Sequence, residues 1–267
     1  MNRLFFIIFT FVFSVSHYSF CQKDSKEKNS ASPISVNSFF KSPEADWTEI
    51  QETLAKYGGE YVGVNNKVAT TGMPDGPISG NGNIGLVSAC DNNWGRFYIT
   101  TNGFWTGKKY FVKPLPIGGV NVVVNGASAE GLRQVQNIAD AEINTTMNSQ
   151  MVKIKTWVAA TSDYVINEIS STDKNPIEIS IETWTTNTNN QIYPVANGLA
   201  NPNIVWATRE TESGDNVNWI CRAALSTKII GADCKTELSD NNKGVSKFLL
   251  QPGEKVTVVT SIISGKD

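Results

Sequence analysis

Histidine is all but missing from this chain of 267 residues: the single one, His17, lies in the apolar leader. The folded portion therefore cannot assemble a Ser-His-Asp triad, a Cys-His pair or a His-ligated metal centre. Cysteine is nearly as scarce. Of four, Cys21 closes the leader, and Cys90, Cys221 and Cys234 form an odd set without metal-ligand spacing. Export to an oxidising space then allows at most one internal disulfide, with Cys221 and Cys234 the nearest pair, or free thiols buried as small hydrophobes. Charge of either sign is sparse too. Twenty-three Lys and Arg against 25 Asp and Glu give a net charge of −2, and the pI is about 5.6. No basic cluster offers a footprint for nucleic acid or an anionic membrane. No motif implies a cofactor.

What is present begins with an export signal. Arg3 precedes the apolar run from Leu4 to Val15, too short to span a bilayer but right for a secretory core, so no transmembrane segment is expected once residues 1–21 are removed. Ser19 and Cys21 place small side chains where signal peptidase needs them, which makes Gln22 the mature N-terminus of a secreted or periplasmic protein. The rival fate, a lipid on Cys21, is disfavoured by the bulky Phe20 before it. Residues 22–41, rich in Lys, Ser and Asn, read as a flexible tether. Ser42, Pro43, Glu44 and Asp46 then supply a cap, a proline at the first helical position and acids suited to the helix dipole. They predict a short helix over 42–58, with Trp47, Ile50 and Leu54 on one face packed against a sheet and Gly58-Gly59 as a left-handed stop.

From residue 60 to 267 the chain alternates short Val-, Ile-, Thr- and aromatic-rich runs with Asn, Gly, Asp and Pro clusters. The expected fold is all-β, a large antiparallel β-sandwich of one domain, for which roughly 245 mature residues provide enough core. The predicted strands are 84–90, 96–100, 119–124, 133–138, 141–147, 152–158, 164–170, 177–184, 204–211, 217–225, 246–250 and 255–263, while the stretch 187–202 reads as a long surface excursion. Ile177 to Glu182 alternates strictly, which puts three isoleucines in the core and Glu178 and Glu182 in solvent.

Those two carboxylates lie about 13 Å apart by strand rise, whereas retaining glycosidases need about 5–5.5 Å and inverting ones about 6.5–9.5 Å. No acid pair is therefore readable along a strand. Seven tryptophans invite sugar stacking. Trp184, Trp206 and Trp219 fall within strand patterns and read as core, so weak or no glycan affinity is expected; Trp94, beside the turn Asp91-Asn92-Asn93, is the best exposed candidate. That turn, with Asp215-Asn216 and Asp240-Asn241-Asn242, reads as turn chemistry rather than a calcium loop. No metal site is expected.

The densest signal is Pro77-Ile78-Ser79-Gly80-Asn81-Gly82-Asn83-Ile84-Gly85-Leu86, followed by Phe97-Tyr98-Ile99-Thr100-Thr101-Asn102-Gly103-Phe104-Trp105-Thr106-Gly107. Turn, strand, hairpin, strand and Trp-Thr-Gly corner in that order resemble the start of the N-terminal β-sandwich in glycoside hydrolases with a six-fold α/α barrel, especially family 95, to which α-L-fucosidases belong. Ile138 to Thr146, Val152 to Ile169 and the terminal strands from Leu250 to Ile263 are similar to later sandwich strands of that family. The resemblance implies that Gly80, Asn81, Gly82, Gly85 and Gly107 are structural; Trp105 reads as a corner residue, packing first and a sugar-contact candidate second, and Asn102 beside it is a further candidate. The resemblance also implies a helical-barrel catalytic domain, C-terminal or separate, as partner. Thr100-Thr101-Asn102-Gly103 replaces the acidic stretch before the family's Trp corner, and the family's acid and base belong to the barrel, so no catalytic residue carries over. Three readings follow: a non-catalytic sandwich bracing the barrel of an exported, polysaccharide-degrading enzyme, a free-standing carbohydrate-binding protein, or an exported interaction module. A bare apolar docking face would favour the first.

Overall fold

The structure, a computed structural model, describes residues 43–65, 75–105, 114–128, 130–149, 151–185, 195–201, 203–211, 219–240 and 243–266. The export signal, the tether and Gly107 lie outside them. Helix α1 runs Pro43–Leu54 and tightens into a 3-10 turn at Ala55–Tyr57. Sixteen strands follow: β1 Gly59–Val62, β2 Ile78–Gly80, β3 Ile84–Asp91, β4 Trp94–Trp105, β5 Pro114–Val124, β6 Arg133–Asn137, β7 Glu142–Met147, β8 Val152–Val158, β9 Tyr164–Ser171, β10 Ile177–Thr185, β11 Val195–Leu199, β12 Ile204–Glu210, β13 Cys221–Ile230, β14 Lys235–Asp240, β15 Lys243–Leu250 and β16 Lys255–Lys266.

They form two antiparallel sheets, a nine-stranded one in the order β1-β6-β7-β8-β9-β16-β13-β12-β11 and a seven-stranded one in the order β14-β15-β10-β5-β4-β3-β2. The protein is an all-β sandwich with one short helix. Alternation makes it so: Phe97, Ile99, Val122, Ile179 and Ile181 from the smaller sheet meet Ile143, Ile154, Ile169, Leu225 and Val258 from the larger in one core. Each such fully buried side chain contributes about 1.5–3 kcal/mol. One buried polar pairing crosses between the sheets. Gln134 of β6 donates through Nε2 to Ser88 Oγ of β3 at 2.6 Å and to Thr145 Oγ1 at 2.9 Å, and accepts at Oε1 from Asn65 Nδ2 at 2.9 Å.

The N-terminal expectations need correction. Gly58 is extended (φ −65°, ψ 145°), not left-handed, because the chain passes straight into β1, which pairs with β6. Trp47 and Ile50 are 50% and 47% exposed, so the apolar face of α1 is not buried on a sheet. Within the expected excursion, residues 195–199 form the edge strand β11, pairing with β12, and the indole of Trp206 lies over Gly198. β13 starts four residues later than expected and runs on to Ile230. Cys221 opens that strand and Cys234 follows its far end, so a bridge between them is ruled out by about 30 Å of extended chain. All three described cysteines are free thiols.

Candidate functional site

The glycine-dense turn between β2 and β3 ties the sheets together at one end. Asn81 Oδ1 accepts from the backbone amides of Asn83 (3.0 Å) and Ile84 (2.8 Å), closing the turn on itself. Its Nδ2 donates to the carbonyls of Ala159 (2.9 Å) and Ser162 (3.2 Å) in the β8–β9 turn of the other sheet. Asn83 Nδ2 reaches both carboxylate oxygens of Asp163 at 2.9 Å. Gly82, with φ +91°, occupies backbone space that a side chain resists, while Gly80 and Gly85 face each other in the β2–β3 register. Asn102 donates through Nδ2 to Gly82 O, and Trp105 donates through Nε1 to Asn102 O while packing its ring against the core. Both residues thus serve the corner's own hydrogen bonding.

A different cluster stands on the outer face of the seven-stranded sheet. Pairing registers set Trp94, Arg96 and Tyr98 of β4 opposite Val123, Asn121 and Gly119 of β5, and these opposite Ser180, Glu182 and Trp184 of β10. Lys247, Val245 and Lys243 of β15 extend the same rows. Asn121, 3% exposed, is the hub. Its Oδ1 accepts from Arg96 Nε and from Trp184 Nε1, each at 2.9 Å, and its Nδ2 donates to Glu182 Oε2 at 2.6 Å. Lys243 Nζ holds the other oxygen of Glu182 at 3.0 Å. The Arg96 guanidinium lies 4.6 Å from the Trp94 ring centre, 5.4 Å from that of Trp184 and 6.0 Å from that of Tyr98. Tyr98 meets Trp184 edge-on at 5.4 Å. Gly119 makes room for this arrangement, since a Cβ there would stand 3.1 Å from Trp184 Cζ2.

Two expectations are overturned here. Trp184 and Trp206 are not core residues: both are only partly buried, on the outer faces of their sheets, whereas Trp219 does pack against the core. Glu182 is not simply solvated, because both oxygens are engaged, and Glu178 accepts from Asn125 Nδ2. Trp94, expected to be exposed, is likewise only partly buried, with the Arg96 guanidinium over its ring. Arg96, Asn121 and Glu182, which the sequence reading did not connect, complete the cluster.

Two further surfaces matter. A groove of about 840 Å³ is lined by Glu178, Asp233, Lys235, Lys247, Gln251 and Glu254 among others, with acids and bases interspersed. On the outer face of the nine-stranded sheet, Tyr164, Ser261, Ser226 and Trp206 form one uncharged row and Ile263, Ala224 and Thr208 the next. Tyr164 and Ile263 there are 40% and 64% exposed. Among the described residues, no cluster of three or more His, Cys, Asp or Glu side chains gathers as a metal site would, and no helix is long and apolar enough to cross a membrane.

No curated protein matches the chain in sequence. Among solved structures it is similar to a protein described as a kojibiose phosphorylase from the human microbiome, with TM-score 0.46 and 11% identity over 70% of this chain and 30% of that one. It is also similar to a family GH92 α-mannosidase from Bacteroides thetaiotaomicron, with TM-score 0.42 and 11% identity over 78% of this chain and 33% of that one. A GH92 inverting mannosidase from the same organism follows at TM-score 0.36 and 10% identity, over 75% of this chain and 30% of that one. The chain spans about a third of the length of these proteins. The family model that matches covers residues 67–223, from before β2 into β13, and so takes in both the Gly-Asn-Gly turn and the three strands that carry Trp94, Arg96, Asn121 and Trp184; the chain belongs to this family, described as a domain of unknown function, DUF5703.

Proposed function

We propose that this is a glycan-handling, non-catalytic sandwich domain of an exported carbohydrate-degrading protein, working beside a helical-barrel catalytic domain. The observation that carries the reading is the outer-face cluster: two partly exposed indoles, Trp94 and Trp184, tied together by Arg96 and Asn121 and backed by the buried ring of Tyr98. Aromatic faces with neighbouring polar donors are what sugar rings stack on, the apolar face of the ring against the indole and the hydroxyls at its rim. The motif resemblance to family 95 supports a glycoside hydrolase parentage, with a fucoside-cleaving parent as its finer form. Catalysis belongs elsewhere, because the cluster's one carboxylate, Glu182, is tied by Asn121 and Lys243. Two uncharged rows on the otherwise charged outer face of the nine-stranded sheet favour a second, compatible role, that of a docking wall for the catalytic domain, since a local patch with exposed Ile263 and Tyr164 suits burial.

The test is affinity electrophoresis of the full chain through gels containing individual polysaccharides, alongside turnover of aryl fucosides, galactosides and glucosides. Retardation by at least one glycan, abolished in Trp184→Ala, with no turnover above background, is the expected result. Hydrolysis lost on changing one Asp or Glu to its amide, or a complete lack of retardation, would overturn the reading.

A further inference from the structure

We propose that the outer face of the seven-stranded sheet selects acidic glycans, with Arg96 gripping the sugar's carboxylate or sulfate between Trp94 and Trp184. The inference rests on the glycan-handling reading above and narrows its ligand class.

Lys243 is paired with Glu182 at 3.0 Å and Lys247 with Glu237 at 3.0 Å. Asp91, at the rim beside Trp94, accepts from the amide of Asn92 at 2.7 Å. Arg96 differs from both lysines. Its one hydrogen bond is from Nε to the neutral Asn121, and it has no ion pair among the described residues. Among the described residues, neither terminal nitrogen of the guanidinium has an acceptor. The aromatic rings on three sides hold the guanidinium in place while neutralising none of its charge.

A cation fixed in this way is preorganised for a planar or tetrahedral anion. A sugar hydroxyl would use one terminal N–H, whereas a carboxylate or sulfate accepts from two at once, with the shorter and stronger bonds of a charge-assisted pair. The flanking indoles then face the ring that carries the anion. Asn121 sets the aim: by taking Nε and the Trp184 indole N–H on one oxygen, it fixes guanidinium and stacking face relative to each other. Loss of the Arg96 charge should therefore cost acidic-glycan binding while sparing stacking, and loss of Trp184 should cost both.

The experiment titrates the full chain with oligogalacturonides, with a sulfated galactan and with neutral mannan and xyloglucan fragments, at low and high NaCl. Expected are binding to one of the two acidic classes, weaker at high salt, and a loss of about tenfold or more in Arg96→Gln, the size of one charge-assisted pair. The arm that binds tells carboxylate from sulfate. Arg96→Lys, which keeps the charge but not the fork, should fall between. Should Arg96→Gln fail to fold, the salt dependence of the native chain and the lysine variant decide. Preference for the neutral fragments, or acidic-glycan binding that ignores both salt and Arg96, overturns the acidic-ligand inference and leaves the glycan-handling reading standing. Failure to bind any of the four overturns both.

Discussion

Replacing Asn81 by alanine removes four hydrogen bonds at once, two that close the β2–β3 turn and two that cross to the β8–β9 turn. A neutral hydrogen bond contributes about 0.5–1.5 kcal/mol net. Asn81 is only partly buried, so water repays part of the loss, and about 2 kcal/mol is expected to remain. For a domain of this size that lowers Tm by about 4–8 °C. Asn81→Asp separates the two halves of the contribution. The aspartate keeps the acceptor for the amides of Asn83 and Ile84, but loses both donated bonds and turns a carboxylate toward the carbonyls of Ala159 and Ser162. Its Tm should fall by at least half as much as that of the alanine variant. Differential scanning calorimetry of the three proteins at pH 7 gives the comparison. An aspartate variant as stable as the native protein would refute the idea that this turn clasps the sheets, leaving it a local turn only, and an unchanged alanine variant would refute the role of Asn81 altogether.

Asn121→Leu should cost about 2 kcal/mol in urea unfolding and alter the near-ultraviolet tryptophan signal, because Trp184 Nε1 and Glu182 lose a nearly buried partner. Arg209 is almost fully buried, donates to Pro116 O across the core and lies 5.7 Å over the Phe104 ring. Arg209→Ala should cost about 3–5 kcal/mol through cavity and lost contact, and Arg209→Met, which refills the volume, distinctly less; equal losses by urea titration would assign the whole effect to the charge. Burial pushes the Cys90 thiol up from 9.0 to about 11, against the opposing hydrogen bond from the Asn65 backbone amide, with Asp91 adding to the rise. The folded protein then keeps a proton that the unfolded chain has lost, so this stabilisation is complete below about pH 9 and disappears between about 9 and 11. The native protein should lose Tm over that window faster than Cys90→Ala does, and its Cys90 should resist iodoacetamide at pH 8.

Much of the sandwich is legible residue by residue. Val152–Val158 matches its expected limits, and the alternation from Ile177 places three isoleucines in the core as it should. The missed strands are edges or nearly so. β11 contains Asn197 and Gly198, and β14 reads Lys-Thr-Glu-Leu-Ser-Asp, compositions that look like loops because an edge strand needs no apolar row on both faces. Trp184 shows a subtler failure. The parity that puts Glu178 and Glu182 outside puts Trp184 outside as well, so the signal was present but outweighed by the habit of burying indoles. The connection of Arg96 to Asn121 and Glu182 was not legible at all, since it depends on which strands pair, and β4, β5 and β10 are neighbours only in the folded sheet.

The position of β16 has a kinetic consequence. Strand β16 lies in the interior of the nine-stranded sheet, between β9 and β13, and joins a meander of β6 to β9 to a separate set, β11 to β13, all of which precede it in sequence. Until residues 255–266 are available, those two sets have no hydrogen-bonded connection within their sheet, and each presents an open edge where β16 will insert. This sheet therefore closes only once residues 255–266 have been synthesised, at high contact order, and both open edges stay receptive to foreign strands until then.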